Sequence, residues 1–226
     1  MLTSVAAAQG GCWEGTTRET LATVLSIEGS ASISSGDERT FTELRSSEHP
    51  GKNKTLLTSP ASWLSLSLLP NALVFLDQDS SFQIVDLSLT KDGNETGSAM
   101  RGRFAEIKLI KGRICASHVW GEALARFRVI TLEGEVTTPS NALFWVEATA
   151  GKTRVTCASG WVEFQPSGAP KGIRVAPGTV GEWPSAGTNL TAAEADPRGQ
   201  EDVQQAIEIE QRLRDLASRR RNELPR

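Results

Sequence analysis

The chain has 226 residues, 23% of them charged and 38% hydrophobic, with a formal net charge of -3. That length buries a sizeable core in one domain with appendages. The mildly acidic balance argues against a polyanion partner, which needs a concentrated basic surface to displace counterions. The densest basic run, Arg219 to Arg221, sits at the tail, and no stretch approaches the roughly twenty apolar residues that span a bilayer. Neither a nucleic-acid partner nor a membrane span is therefore expected.

Residues 1–20 read as a leader. Val5 to Gln9 places Ala6 and Ala8 in the A-x-A arrangement of a signal-peptide cleavage site, without a basic or apolar run before it. This predicts the tail of a secretion signal that begins upstream, and hence a periplasmic or secreted location.

From residue 21 to 187 the pattern is that of strands. Ala22, Val24 and Ser26 alternate with Thr23, Leu25 and Ile27, and Gly29 punctuates before Ala31 and Ile33. A polar loop follows over 46–54. Trp63, Ser65 and Ser67 then face one way and Leu64, Leu66 and Leu68 the other. The Pro70-Asn71 turn leads into Leu73 to Leu76, a strong hairpin signal because proline fixes φ and asparagine tolerates the left-handed region. Phe82, Ile84 and Leu87 continue the alternation. A long exposed loop is expected over Lys91 to Arg103, and a hairpin-like unit around Lys111-Gly112. Further strands lie at Phe127–Val129, Phe144–Val146, Thr153–Cys157, Trp161–Phe164 and Ile173–Val175. The fold class this predicts is mainly β, an antiparallel β-sandwich or short β-roll of solenoid character with a C-terminal α-helix.

The composition changes after Trp183, and residues 188–226 read as a linker followed by a charged amphipathic helix. Asp196 is its N-cap and Pro197 its first residue. Val203, Ala206, Ile207, Leu213, Leu216 and Ala217 recur at helical spacing as a narrow apolar stripe, and Val203, Ile207, Leu213 and Leu216 of it are expected to dock on the β domain or a partner. Glu210 interrupts that stripe, which argues against a long coiled coil.

No catalytic constellation is readable, and neither cofactor nor metal is expected. Cys115 and His118 fall three apart on a strand, where alternation sends their side chains to opposite faces. Cys115 and Cys157 share a Cys-Ala-Ser context. They either bridge across neighbouring strands or are two small buried thiols. Six tryptophans and no tyrosine are unusual. Trp120, Trp145 and Trp161 would stack on sugar rings if exposed in a row, and would fill the core if buried.

The stretch Phe127 to Phe164 reads FRVITLEGEVTTPSNALFWVEATAGKTRVTCASGWVEF. Through Phe127, Val129, Thr131, Gly134, Val136, Phe144, Val146, Val155, Gly160 and Val162 it resembles the FecR-type sensor domain. Leu132 stands where that pattern has proline, and Ser140-Asn141 replaces a Gly-Thr pair. The resemblance extends over about residues 21–183, to free-standing members of the family. It implies a β scaffold in the bacterial cell envelope, with a role in signal transduction and no catalytic residue of its own. A protein partner or envelope component, bound through loops or a sheet edge, is the first expectation. Carbohydrate or peptidoglycan binding through tryptophans is the second. The oligomeric state is left open.

Overall fold

The structure is a computed structural model, and it describes residues 16–34, 40–91, 100–120, 124–184 and 192–223. Residues 1–15 of the expected leader, Cys12 and Trp13 among them, lie outside the described residues, whereas Thr16–Glu19, also read as leader, form a strand of the β domain. The chain weaves between two stacked layers of strands, usually laying down two strands in one layer before crossing to the other.

β1 (Thr16–Glu19) lies in the first layer and β2 (Thr23–Glu28) in the second. β3 (Ala31–Ser34), β4 (Phe41–Glu43) and β5 (Thr55–Thr58) return to the first, and β6 (Trp63–Leu69) and β7 (Ala72–Leu76) to the second. β8 (Ser81–Lys91) is again in the first. β9 (Met100–His118) begins there and ends in the second. β10 (Leu124–Ile130) and β11 (Gly134–Thr137), then β12 (Ala142–Thr149) and β13 (Lys152–Gly160), repeat the weave. β14 (Val162–Pro166) and β15 (Ile173–Val175), then β16 (Thr179–Trp183) and β17 (Ala193–Glu194), complete it. The helix α1 (Pro197–Glu223) lies across the outside of the second layer.

The first layer runs β4-β3-β5-β8-β9-β10-β11-β14-β15, with β1 beside the far end of β8. The second runs β2-β6-β7-β9-β12-β13-β16-β17, antiparallel throughout. Because β9 belongs to both, the sandwich is one open mixed sheet folded over on itself. The pairing of β9 with β10 is parallel, a departure from the wholly antiparallel expectation.

Between the layers lies the main core, which includes Leu64, Leu66, Phe82, Ile84, Ile107, Phe127, Phe144, Val155 and Phe164, all essentially inaccessible. The alternation read from β6 is realised, with Leu64, Leu66 and Leu68 turned into this core and Trp63 turned to the opposite face. The second layer is apolar on its outer face too. Leu73, Phe75, Cys115, Leu143 and Trp145 point outward, where Ala206 and Leu213 of α1 cover them. This double burial explains why all five residues of β7 are apolar.

Two sequence readings change. Lys111-Gly112 is not a hairpin but the bend at which β9 passes from one layer to the other. Gly112 has φ of 86°, and a Cβ there would lie 2.1 Å from the Ser80 Oγ, so only glycine fits. Of the loop expected over Lys91 to Arg103, Lys91 belongs to β8 and residues 100–103 to β9, with Lys91 paired to Met100, while residues 92–99 lie outside the described residues. Polar composition at an exposed strand end misled the reading there.

Candidate functional site

α1 is assembled onto the second layer from its first turn. Asp196 is the N-cap, accepting from the Gly199 main-chain N–H at 2.7 Å and from Arg154 at 2.5 Å. Those two contacts hold its carboxyl below the ordinary carboxylate range, the Gly199 N–H foremost. Arg198 grips both oxygens of Glu147 on β12. One turn on, Asp202 is almost wholly buried and takes the Arg113 guanidinium of β9 at 2.6 Å. That guanidinium also lies 4.3 Å from the Trp145 ring centroid and 3.7 Å from Asp77. The Trp145 indole N–H donates to the Asp202 carbonyl at 2.8 Å, and the Trp63 indole N–H donates to Asp77 at 3.1 Å. Lower down, Ser117 donates to Glu210 at 2.6 Å, and Arg212 pairs with Glu28.

The face of α1 that meets the sheet is therefore Asp202, Ala206, Ile209, Leu213 and Ala217, with Glu210 at its margin. Of the predicted stripe, Leu213 is buried, Val203 and Leu216 are half-buried and Ile207 is 49% exposed. The correction has a physical cause. Ala206, Leu213 and Ala217 of the stripe do meet the sheet, but the face also takes in a charged residue, Asp202, which an apolar stripe leaves out and which Arg113 selects. The four-residue step from Asp202 to Ala206, continued by Leu213 and Ala217, is the signal that could have added it.

Beside the last turns of α1 a groove of about 400 Å³ opens over the end of the sandwich. Arg214, Ala217, Ser218 and Arg221 form one wall, and Pro70, Asn71 and Leu73 of the β6–β7 hairpin form another. Arg103 reaches it from the first layer. This arginine shares strand parity with Ala105, Ile107 and Leu109, which enter the core, so it points between the layers at their open end. Its Nε is buried without a hydrogen-bond partner, and so is Oδ1 of Asn71.

The thiols are not brought together. Cys115 faces α1, Cys157 faces the interlayer core, and β12 runs between their strands, so the bridge weighed from sequence is not formed and both are free. Burial pushes the Cys115 thiol far above its ordinary value, with the Glu210 carboxylate adding to the effect, and pushes Cys157 up to about 11. Neither is a ready nucleophile. His118 points away from Cys115, 2% exposed, its ring bonded to Thr138 at 2.9 Å and to Asn71 at 3.3 Å. Burial lowers its pKa to about 4.

Among the described residues, Trp120, Trp145 and Trp161 do not form an exposed row. Trp145 is buried beneath α1, and Trp120 is 40% exposed at the end of β9. Trp161 lies at the β13–β14 corner beside a concavity of about 560 Å³ on the outer face of the first layer, with Glu135, Glu163 and Gln165 among its neighbours. The Arg174 guanidinium lies 4.2 Å from its ring centroid and occupies one face.

No family model matches the chain, and no curated protein matches it. The chain is similar to two crystal structures of a proposed anti-sigma factor from Parabacteroides distasonis. Identity is 16% in each case, with TM-scores of 0.46 and 0.45, over 64% of this chain and 61% of theirs. The match thus spans about three fifths of that protein's length.

Proposed function

We propose that the chain is a non-enzymatic interaction module of the bacterial cell envelope, a periplasmic or secreted FecR-like domain that binds a protein partner through a sheet edge. The observation that carries this reading is the edge of the first layer at β4. All three of its residues are exposed, Phe41 at 40%, and among the described residues β4 pairs with β3 alone. A strand with one unpaired side presents main-chain N–H and C=O groups to an added strand, and an exposed aromatic supplies the anchor. The opposite edge, β15, is equally short and among the described residues pairs with β14 alone. The rigid double layer clamped by α1 holds these edges in place, and the groups able to do chemistry, Cys115, Cys157 and His118, are occupied in packing.

The carbohydrate reading keeps one supporting observation, the Trp161 concavity with its flanking Glu135, Glu163 and Gln165. Burial of Trp145 takes one of its three tryptophans from the surface, so protein binding stands first.

The test is photo-crosslinking in the native host, with a photoreactive residue at Phe41, at Arg174 of β15, or at exposed Thr149 as control. A defined adduct from an edge position and none from Thr149 is expected. Absence of any adduct at both edges overturns the reading.

A further inference from the structure

The groove at the end of α1 has features that packing alone does not explain. Its cationic groups come from three places in the chain: Arg103 from the first layer, Arg214 from mid-helix and Arg221 from the last turns. Glu210 stands nearby, and it is already engaged by Arg214 at 2.8 Å and Ser117 at 2.6 Å. Arg103 occupies an inward-pointing strand position, where an apolar residue would serve the fold as well. A buried guanidinium N–H without an acceptor is costly, as is a buried carbonyl oxygen without a donor. Both occur on the lining of this groove, at Arg103 Nε and Asn71 Oδ1. One ligand satisfying both must carry an acceptor and a donor. A peptide carries both in each residue. Between the polar groups, Pro70, Leu73, Val119 and Ala217 give the groove apolar walls.

We infer that this groove binds an acidic peptide segment of the protein partner. Carboxylate side chains pair with the guanidinium groups of Arg103, Arg214 and Arg221, and peptide N–H and C=O groups meet Asn71 and Arg103. Guanidinium matches carboxylate in a planar two-point fork, which suits three arginines around one trough better than a diffuse positive surface would. Arg220 extends the positive charge into a smaller adjoining pocket that shares Pro70, Ala217 and Arg221 with the groove. This inference rests on the protein-partner reading and assigns it a second contact, distant in sequence from the β4 edge.

The probe is a fluorescein-labelled, end-capped hexaglutamate peptide, titrated into the full chain at low ionic strength and followed by fluorescence polarisation. Binding should be salt-sensitive, and a hexalysine peptide should not bind. Arg221→Glu, an exposed change in the last turns of α1, should weaken binding at least about tenfold without lowering thermal stability. Arg219→Glu makes the same change of net charge on the same helix away from the groove, and it should leave binding within about twofold. Arg103→Gln provides a second variant on the first layer and should weaken binding similarly. Equal losses for Arg221→Glu and Arg219→Glu, or no hexaglutamate binding, overturn the inference. So does displacement by inorganic phosphate as effective per charge as by unlabelled peptide, which would mark a small-anion site. Edge crosslinks from Phe41 that survive alongside a failed titration would sink the groove alone and leave the protein-partner reading standing.

Discussion

The indole N–H of Trp145 donates to the main-chain carbonyl of Asp202 at 2.8 Å, while the side chain of the same Asp202 takes the guanidinium stacked over that indole. One residue of the helix is thus fixed twice, through its backbone by Trp145 of β12 and through its carboxylate by Arg113 of β9. Asp202 is 6% exposed at its side chain and Arg113 20%, so the pair is largely withdrawn from water. Its worth lies less in net attraction than in the cost of leaving either partner alone.

The first prediction separates the two parts of the stripe drawn by sequence, the part that docks and the part that faces solvent. Leu213 is fully buried against Leu73, Phe75 and Leu143, whereas Ile207 is half exposed. Leu213→Ala should cost about 2–5 kcal/mol, through lost transfer energy and the cavity left behind. Ile207→Ala should stay within about 0.5 kcal/mol, as surface changes do. Urea denaturation of the two variants is the measurement. Equal losses would mean that the helix docks in another rotation.

The strands were legible where the period of two is kept, as in β6, whose Leu64, Leu66 and Leu68 enter one core. The helix start was legible because Asp196-Pro197 is a local capping signal that needs no tertiary knowledge. The helix rotation was not, since it depends on Arg113, nearly ninety positions away, having chosen Asp202 as its partner. Likewise Gly112 reads as a turn glycine from either side, and only the layer-to-layer path of β9 shows that the strand continues through it. The cationic groove was illegible for a related reason. Arg103 falls in a segment rich in turn residues, and nothing local places it opposite the end of α1.

The second prediction concerns pH. His118 has its folded pKa lowered to about 4 by burial, against an unfolded value of 6.5, and the groups touching its ring, Asn71, Thr138, Trp120 and Phe127, are uncharged. The unfolded chain therefore binds a proton that the folded chain refuses between those values. Stability from this group is fully present above pH 6.5 and is lost as pH falls through 4, by about 3 kcal/mol in all. His118→Gln, which keeps hydrogen-bonding capacity at the site, should remove this component of the pH dependence. A variant with the same acid limb as the parent would show that His118 does not carry it.

Thiol chemistry gives the third. With Cys115 and Cys157 on opposite faces of the second layer, both should resist alkylation in the native protein, and both should be labelled after denaturation without reductant. Mass spectrometry of the denatured, alkylated chain settles the matter. A pair of cysteines that takes label only after reduction would contradict the placement of β12 between them.

The last prediction compares two glycines that differ in surroundings and not in backbone. Gly151, in the β12–β13 turn, has φ of 73° and nothing within 4 Å of an added Cβ. Gly160, where β13 leaves the second layer for the first, has φ of 71°, and a Cβ there would fall 1.8 Å from the Asn141 carbonyl oxygen. Gly151→Ala pays only for a left-handed backbone, about 1–2 kcal/mol. Gly160→Ala pays that and must also displace the main chain of Asn141, whose side chain holds the Trp120 N–H at 2.6 Å and whose neighbour Ala142 pairs with Gly160. Its cost should exceed that of Gly151→Ala by at least about 2 kcal/mol, since core-flanking backbone does not yield cheaply. Paired thermal melts decide it. If the two variants lose the same stability, the corner at Gly160 is looser than its contacts require, and the crossings between layers are not what holds the two sheets in register.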